Sequence, residues 1–266
     1  MQMILLSYQD LAFLASLVFL LGIVLLLNGF SQTKQLWIAT VRMIVQLLLM
    51  GLWLSWVFAA NQFIWVALVG AIMLAFAGYE IVKRQSYLFE KYATYWIGLL
   101  SLSLTALVVT VMVLIVVISP TPWWEPQYAI PLLGMVLGNS MTAIGIALDT
   151  LTRSAIAQKG AIEAQLALGR TGQQAIKFVR EQSLHTAMIP IINMLVAAGV
   201  VSLPGMMTGQ ILAGADPMEA VKYQIMIMLL VTVSTGSGAL IALHLSSRKL
   251  FDARERLMIR QLRKQK

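Results

Sequence analysis

The chain has 266 residues, of which 59% are hydrophobic and 11% are charged, about half the charge of a typical soluble domain. This composition excludes a conventional soluble fold with a wetted surface and indicates a membrane protein. About seven spans of ~20 residues would use nearly the whole length, so any energy-coupling domain is expected on another chain. The sequence contains no cysteine, which excludes disulfides and cysteine metal sites.

Uncharged apolar blocks predict the membrane spans in chain order. The predicted fold is therefore all-α, with about seven transmembrane helices at 11–27, 43–60, 63–79, 95–118, 128–148, 186–203 and 221–244. The prolines at the end of the fourth span cannot continue a helix, and the Trp123-Trp124 pair suits a membrane interface. Pro204-Gly205 interrupts the sixth span, and continuation of that span toward Gly214 stays open. Asp216 is predicted to cap the seventh span.

Basic residues are distributed unequally between the two sides that seven spans define. All but one of the 19 Lys and Arg residues lie on the same side, and the exception is Lys222. Because positive loops stay on the cytoplasmic side, the N-terminus is predicted outside and the C-terminus in the cytoplasm. The formal charge of +8 is thus placed beside the lipid bilayer, and no nucleic acid partner is expected.

Residues 246–266 form a basic cytoplasmic tail. The plainest interpretation is a topology anchor on a solvated helix, because positive charge holds a span end on the cytoplasmic side. Binding of anionic lipid headgroups, or of a partner protein, is the alternative.

Residues 149–185 form the long polar connection, and their pattern predicts two amphipathic helices between the fifth and sixth spans. The first covers 155–168, pairs Lys159 with Glu163 at i,i+4 spacing, and ends at Gly169. Thr171 stands three residues before Gln174, a capping-box spacing that predicts the start of the second helix. A hairpin that only rests on the membrane surface is the alternative to a docking element.

The segment 163–169 reads Glu-Ala-Gln-Leu-Ala-Leu-Gly and is followed by a hydrophobic position at Val179. It resembles the coupling motif of ABC-transporter membrane subunits, from which it departs at Gln165 and in lacking the usual Leu-Pro ending. The resemblance implies that these helices seat in a groove of an ATPase subunit. The coupling residues that it implies are Glu163, Ala164, Gly169, Arg170 and Val179.

A second resemblance rests on rarer blocks. These are Val-Ser-Leu-Pro-Gly-Met-Met-Thr-Gly at 201–209, Ala-Gly-Ala-Asp-Pro at 213–217, Tyr-Gln-Ile-Met at 223–226, and Gly134-Met135-x-x-Gly138-Asn139-x-Met141. Together they are similar to the FetB-type iron-export permease family, whose plant relatives are membrane subunits implicated in aluminium tolerance. The resemblance covers most of the chain and implies a single permease domain over 1–266. It also implies a homodimer of permease chains in the bacterial inner membrane, with ATP bound by a separate subunit.

Several residues of the predicted spans could serve the translocation path or a gate. They are Asn139, Ser202, Pro204, Gly205, Met206 and Met207. Asn139 is expected to hydrogen-bond another helix or to face the path, and Gly134 and Gly138 are expected to share a packing face. Metal contact by Met206 or Met207, or by oxygen ligands near a helix break, stays open, so the metal ligands are unknown.

The sequence thus predicts a transport subunit with no enzyme activity of its own. It contains no Gly-x-x-x-x-Gly-Lys-Ser/Thr motif, so this chain is expected to bind neither ATP nor another cofactor. No ionisable residue is expected at mid-membrane depth, which disfavours a proton-driven transporter. The family resemblance implies export of iron or a related metal ion. The alternatives are import, another substrate such as a sugar nucleotide, or a non-ABC seven-helix membrane protein.

Overall fold

The structure is a computed structural model that describes residues 7–30, 33–90 and 92–264. Within these ranges the chain is almost entirely helical, which confirms the predicted all-α class. The helices are α1 (Tyr8–Leu27), α2 (Thr33–Ala60), α3 (Phe63–Lys83), α4 (Ala93–Leu102), α5 (Val108–Val113), α6 (Pro126–Ala157), α7 (Lys159–Ala167), α8 (Gly172–Ala175), α9 (Lys177–Ala197), α10 (Gly205–Leu212) and α11 (Pro217–Lys249). Two short strands, β1 (Tyr87–Leu88) and β2 (Arg263–Lys264), pair antiparallel.

Six helical segments of the described residues are long and apolar enough to cross a membrane. They are Tyr8–Leu27, Thr33–Ala60, Phe63–Lys83, Ala93–Ile118, Pro126–Ala157 and Pro217–Lys249. In the segment Ala93–Ile118, the π-helical stretch Ser103–Leu107 joins α4 to α5, and a second π-helical stretch, Leu114–Ile118, follows α5. Most of these helices extend beyond the predicted spans, because loss of hydropathy does not end a helix. The last one ends at Lys249, several residues after its apolar block.

The predicted sixth span, 186–203, covers the second half of α9 and most of the turn that follows it. This helix is not among the six apolar segments, because polar residues make up most of its first half, 177–186. It ends at Ala197, so the interruption begins before Pro204 rather than at it. Residues 198–204 form a turn in which Gly199 is left-handed, with φ +83°, and Pro204 then stands at the N-cap of α10.

The central helices α6 and α11 run parallel to each other. The Ser140 and Ser234 hydroxyl oxygens lie 3.0 Å apart, and one turn further along both helices Gly238 faces Ile144. We call the end where α6 and α11 finish the basic end, and the end where they start the opposite end. Because two parallel helices start at the same end, the chain between them must return along the length of the bundle.

Helix α9 makes this return. At the basic end, the Ser247 hydroxyl donates to Gln173 Oε1, just before α9, over 3.0 Å. Further along α9, Met188 lies against Gly236, which is earlier in α11. Later residues of α9 therefore contact earlier residues of α11, so the two helices are antiparallel.

Helices α1 and α2 form a hairpin at the margin of the bundle. Most of their apolar side chains are exposed, as expected of helices that face lipid on several sides. The Arg42 guanidinium binds Glu80 of α3 over 2.6 Å, and both side chains are at least half covered. This ion pair attaches the hairpin to the rest of the bundle.

Candidate functional site

Helices α7 and α8 are anchored on the basic end of the bundle by buried aliphatic side chains. Ile162 of α7, Ile176 directly after α8 and Val179 at the start of α9 are fully buried. They pack in one cluster with residues from the ends of α6 and α11, which include Leu151, Ala155, Leu243 and Leu250. Burial of several aliphatic side chains, each contributing about 1.5–3 kcal/mol, fixes this element on the bundle.

The predicted helix boundaries of this element are partly right. Thr171 forms the predicted capping box: its hydroxyl accepts from Gln174 N, and its own N–H donates to Gln174 Oε1. The predicted first helix, however, is divided at Gln158, whose φ of −106° and ψ of 23° end α6 and start α7. The second is a single turn, α8, after which α9 continues into the bundle. The capping residues correctly predicted the start of α8, but the sequence pattern did not predict the division at Gln158, which depends on tertiary packing.

The opposite face of α7 is exposed. Ala161, Ala164 and Leu168 follow one another at helical spacing, and Leu168 is 76% exposed. Glu163 stands beside them in a 3.6 Å ion pair with Lys159. Gly169 ends the stripe in a left-handed conformation, φ +81°, that favours glycine.

We call this the α7 surface, and it comprises Ala161, Glu163, Ala164, Leu168, Gly169 and Arg170, all exposed. It brings together four of the five predicted coupling residues. The fifth, Val179, is fully buried, so it anchors the element rather than forming part of the surface.

Gly172 at the start of α8 is held by the C-terminal residues. Its N–H donates to Glu255 Oε2 over 2.6 Å. A Cβ at this position would lie 2.6 Å from both the Phe251 ring and the Glu255 carboxylate, closer than non-bonded atoms can approach. Glu255 itself is left-handed, with φ +58°, a conformation that costs free energy for a residue other than glycine.

The predicted solvated tail helix is wrong. After α11 the chain folds into a turn in which Asp252 accepts hydrogen bonds from Arg254 and Arg256. The backbone N–H of Arg256 and then its side chain lower the pKa of Asp252 below its ordinary value, with Arg254 adding to the effect. The chain then returns to the bundle because apolar side chains, including Leu257, pack on its basic end.

We call residues 250–264 the C-terminal brace. Its strand β2 pairs with β1, with Tyr87 opposite Lys264. Because β1 lies in the connection between α3 and α4, the brace joins that connection to α8. The same connection is tied to α6 by the Ser86 N–H, which donates to Asp149 Oδ1 over 2.7 Å. The basic end is therefore one linked assembly.

Inside the bundle, the polar contact between helices is made by Ser140 rather than by its neighbour Asn139. The Asn139 side-chain amide donates to the Met135 carbonyl of its own helix, whereas Ser140 makes the contact between helices. Gly134 packs against Met73 of α3, but Gly138 has open space beside it. The two glycines therefore do not form one packing face, because α3 reaches only the first.

The remaining gate candidates lie at the opposite end. Met206 lines a cavity of about 310 Å³ with Gln210, Tyr223 and Met226. Ser202 bonds weakly to the Ala197 carbonyl in the turn before α10. Neither Ser202 nor Met207 lines that cavity. In the described part of the chain, no three His, Asp or Glu side chains come together as metal ligands.

Sequence reasoning missed three features of the site. The C-terminal brace depends on pairing between β1 and β2, which are far apart in sequence and too short to give a periodic signal. The Ser140–Ser234 contact joins two ordinary helix positions. Gly172 carried a readable signal, because a glycine directly after an N-cap suggests crowding.

A protein-family model matches residues 8–251, and its description is "Uncharacterised protein family (UPF0014)". The chain belongs to this family. The match covers all eleven helices named above. It leaves out residues 1–7 and 252–266, which include most of the C-terminal brace.

Curated relatives agree with this assignment. The chain is 36% identical to "UPF0014 membrane protein slr1647" of Synechocystis sp., over 87% of this chain and 89% of that protein. It is 32% identical to "Probable iron export permease protein FetB" of Escherichia coli, over 84% of both chains. It is 33% identical to "Protein ALUMINUM SENSITIVE 3" of Arabidopsis thaliana, over 70% of this chain and 66% of that protein. No solved structure matches the chain. With the six apolar helices, these relatives identify a multi-pass membrane protein.

Proposed function

We propose that this chain is the membrane permease subunit of an ABC transporter, which exports iron or a related metal ion with ATP hydrolysed by a separate subunit. The α7 surface is the single observation that supports this function best. An apolar stripe with a charged rim projects from the basic end on a firmly packed base. An apolar centre surrounded by a polar rim is the layout of protein interfaces.

The α7 surface suits docking better than membrane contact. A helix that rests on a bilayer buries its apolar face in lipid, whereas Ile162 of α7 and Ile176 directly after α8 are already buried in the bundle. What remains outside consists of small side chains and Leu168. Small side chains allow close approach of a partner's groove, and Leu168 supplies one apolar anchor.

The helix directions support seven crossings with the basic end in the cytoplasm. Parallel α6 and α11 require a return between them, and antiparallel α9 supplies it. Its 21 residues extend ~32 Å at about 1.5 Å per residue. The apolar half, 187–197, covers about half of the ~30 Å hydrocarbon core, and the polar half continues toward the basic end. Together with the excess of basic residues at that end, this direction supports a position of the α7 surface beside the cytoplasmic nucleotide pool.

The substrate part of the proposal comes from the relative named as an iron export permease. The cavity beside Met206 offers neutral amide, phenol and thioether groups. Neutral ligands hold a metal ion weakly, which suits release from a transporter rather than storage. We further propose that two copies of the chain assemble with two ATPase subunits, as the resemblance to ABC transporters implies.

Reconstitution of the chain with a cognate ABC ATPase in proteoliposomes tests the proposal. ATP-dependent movement of iron, manganese, aluminium and UDP-glucose would be measured in both directions. We expect outward iron transport, and we expect Glu163→Arg to lower ATPase binding and transport about tenfold, because a reversed charge at a docking rim opposes association.

Glu181→Arg is the matched control. Glu181 forms a 3.7 Å i,i+4 pair with Lys177 that resembles the Lys159–Glu163 pair, but it lies outside the α7 surface. Transport that is equally sensitive to both substitutions, or to neither, would contradict docking at this surface. If UDP-glucose were transported and no metal ion were, the proposed substrate would be wrong, but the proposal that the ATPase docks on the α7 surface would still stand.

A further inference from the structure

A groove of about 330 Å³ opens between α3, α5 and α6 toward the opposite end. Its α3 wall follows one helix face through Phe63, Ala67, Gly70, Ala71 and Leu74. The wall has small residues at its centre, which create the space. Leu107 and Leu114 line the facing wall. Almost every group on these walls is apolar.

The groove is wedge-shaped because α3 and α4 pack closely only near the basic end. There, Gly78 faces Tyr95 and Leu99, and Gly98 faces Ile81. Toward the opposite end the small residues of α3 leave the space between α3 and α5 unfilled. A void of this size inside a soluble core would be strongly destabilising, whereas a groove beside lipid can be filled from the membrane.

The groove has the depth of one lipid leaflet. From Phe63 to Leu74, α3 rises ~16 Å at about 1.5 Å per residue, and half of a ~30 Å hydrocarbon core is about 15 Å. Phe63, Trp123 and Trp124 cluster at the mouth, with ring centroids 5.7–5.9 Å apart. Tryptophans at the end of a membrane span are typical of the headgroup level of a bilayer.

Two of the lining residues carry a buried side-chain polar atom with no hydrogen-bond partner within the described residues. They are Trp124, through its indole N–H, and Thr110, through its hydroxyl. Because protein atoms cover both polar atoms, neither offers a hydrogen bond to a molecule in the groove. The groove therefore offers an apolar surface, which suits an acyl chain.

We infer that this groove is a binding site for a diacyl phospholipid of the leaflet on the Trp123–Trp124 side. One acyl chain lies along the apolar walls, and its headgroup lies at the level of the Trp123–Trp124 pair. The lipid completes the packing of α3 against α5 and is independent of which substrate the protein transports.

Native mass spectrometry of the purified full chain, with added diacyl phospholipid, tests this site. Ala71→Phe places a ring in the groove and is expected to lower lipid retention about tenfold. Ala59→Phe is the matched control, because Ala59 is an exposed residue near the same end of α2 that does not line the groove. Equal retention by the wild-type chain and Ala71→Phe would overturn the site.

A second variant keeps the shape of the groove. Thr110→Val replaces the buried hydroxyl by a methyl group and should leave lipid retention unchanged, because apolar contact holds the chain. A loss of retention with Thr110→Val would contradict the proposed ligand.

Discussion

Gly172 shows how one missing side chain lets the C-terminal residues reach the α7 and α8 element. The Phe251 ring and the Glu255 carboxylate occupy the space where a Cβ would lie. The Glu255 carboxylate in turn binds the Gly172 N–H. Sequence reasoning correctly predicted the capping box at Thr171, because capping is local. It could not predict Glu255, because that contact spans 83 residues.

Gly172→Ala is expected to destabilise the basic end by about 1–3 kcal/mol, the usual cost of overpacking. The added methyl must displace both the Phe251 ring and the Glu255 carboxylate, and movement of the carboxylate breaks its hydrogen bond with the Gly172 N–H. Thermal unfolding in detergent, together with protease cleavage within residues 251–264, would measure the effect.

Gly160→Ala provides the comparison for this prediction. Gly160 lies in α7 with nothing within 4 Å of an added Cβ, so alanine there should stabilise the helix by roughly 0.5–1 kcal/mol. If both alanine variants raised, or both lowered, the free energy of unfolding, crowding at Gly172 would not explain the effect of Gly172→Ala.

Among the elements, the C-terminal brace departs furthest from the sequence prediction. Its many basic residues suggested a solvated helix, since charge usually keeps a segment in water. The structure instead uses its apolar minority, Phe251, Leu257 and Leu262, to pack the segment on the bundle. Hydropathy averaged over a window hides such sparse contacts. The membrane helices, in contrast, were predictable because their apolar blocks are long.

Removal of residues 251–266 is expected to loosen the α7 and α8 element without unfolding the membrane helices. Hydrogen exchange should rise in 159–176 and 85–90, where the brace forms its contacts, and stay unchanged in α6 and α11. Arg263→Ala is the control, because its 3.7 Å pair with Glu90 is exposed and such pairs contribute little. Unchanged exchange in 159–176 after the deletion would refute the bracing role.

For the whole molecule, the decisive relation is the parallel course of α6 and α11. The sequence suggested seven spans from hydropathy and charge, but the sixth was its weakest block. The contacts Ser140–Ser234 and Met188–Gly236 supply an independent geometric reason for a crossing there. Hydropathy could not supply it, because α9 combines a polar half at the basic end with an apolar half.

Single cysteines can test this crossing, since the sequence has no native cysteine. Ala213→Cys, between α10 and α11, and Ala167→Cys, at the end of α7, are exposed positions that lie after and before α9. A membrane-impermeant maleimide should label the first from outside intact cells and the second only after lysis. Labelling of both positions from the same side would contradict a crossing by α9.

The pairing of β2 with β1 also bears on how the protein is made. During synthesis β1 and α8 leave the ribosome long before β2, which follows every helix of the bundle. The α3–α4 connection and the start of α8 therefore wait for their last partners until all the helices have been inserted. The basic end closes only around a completed bundle, so an unfinished or misinserted chain would present unpaired edges there to the quality-control proteases of the cell.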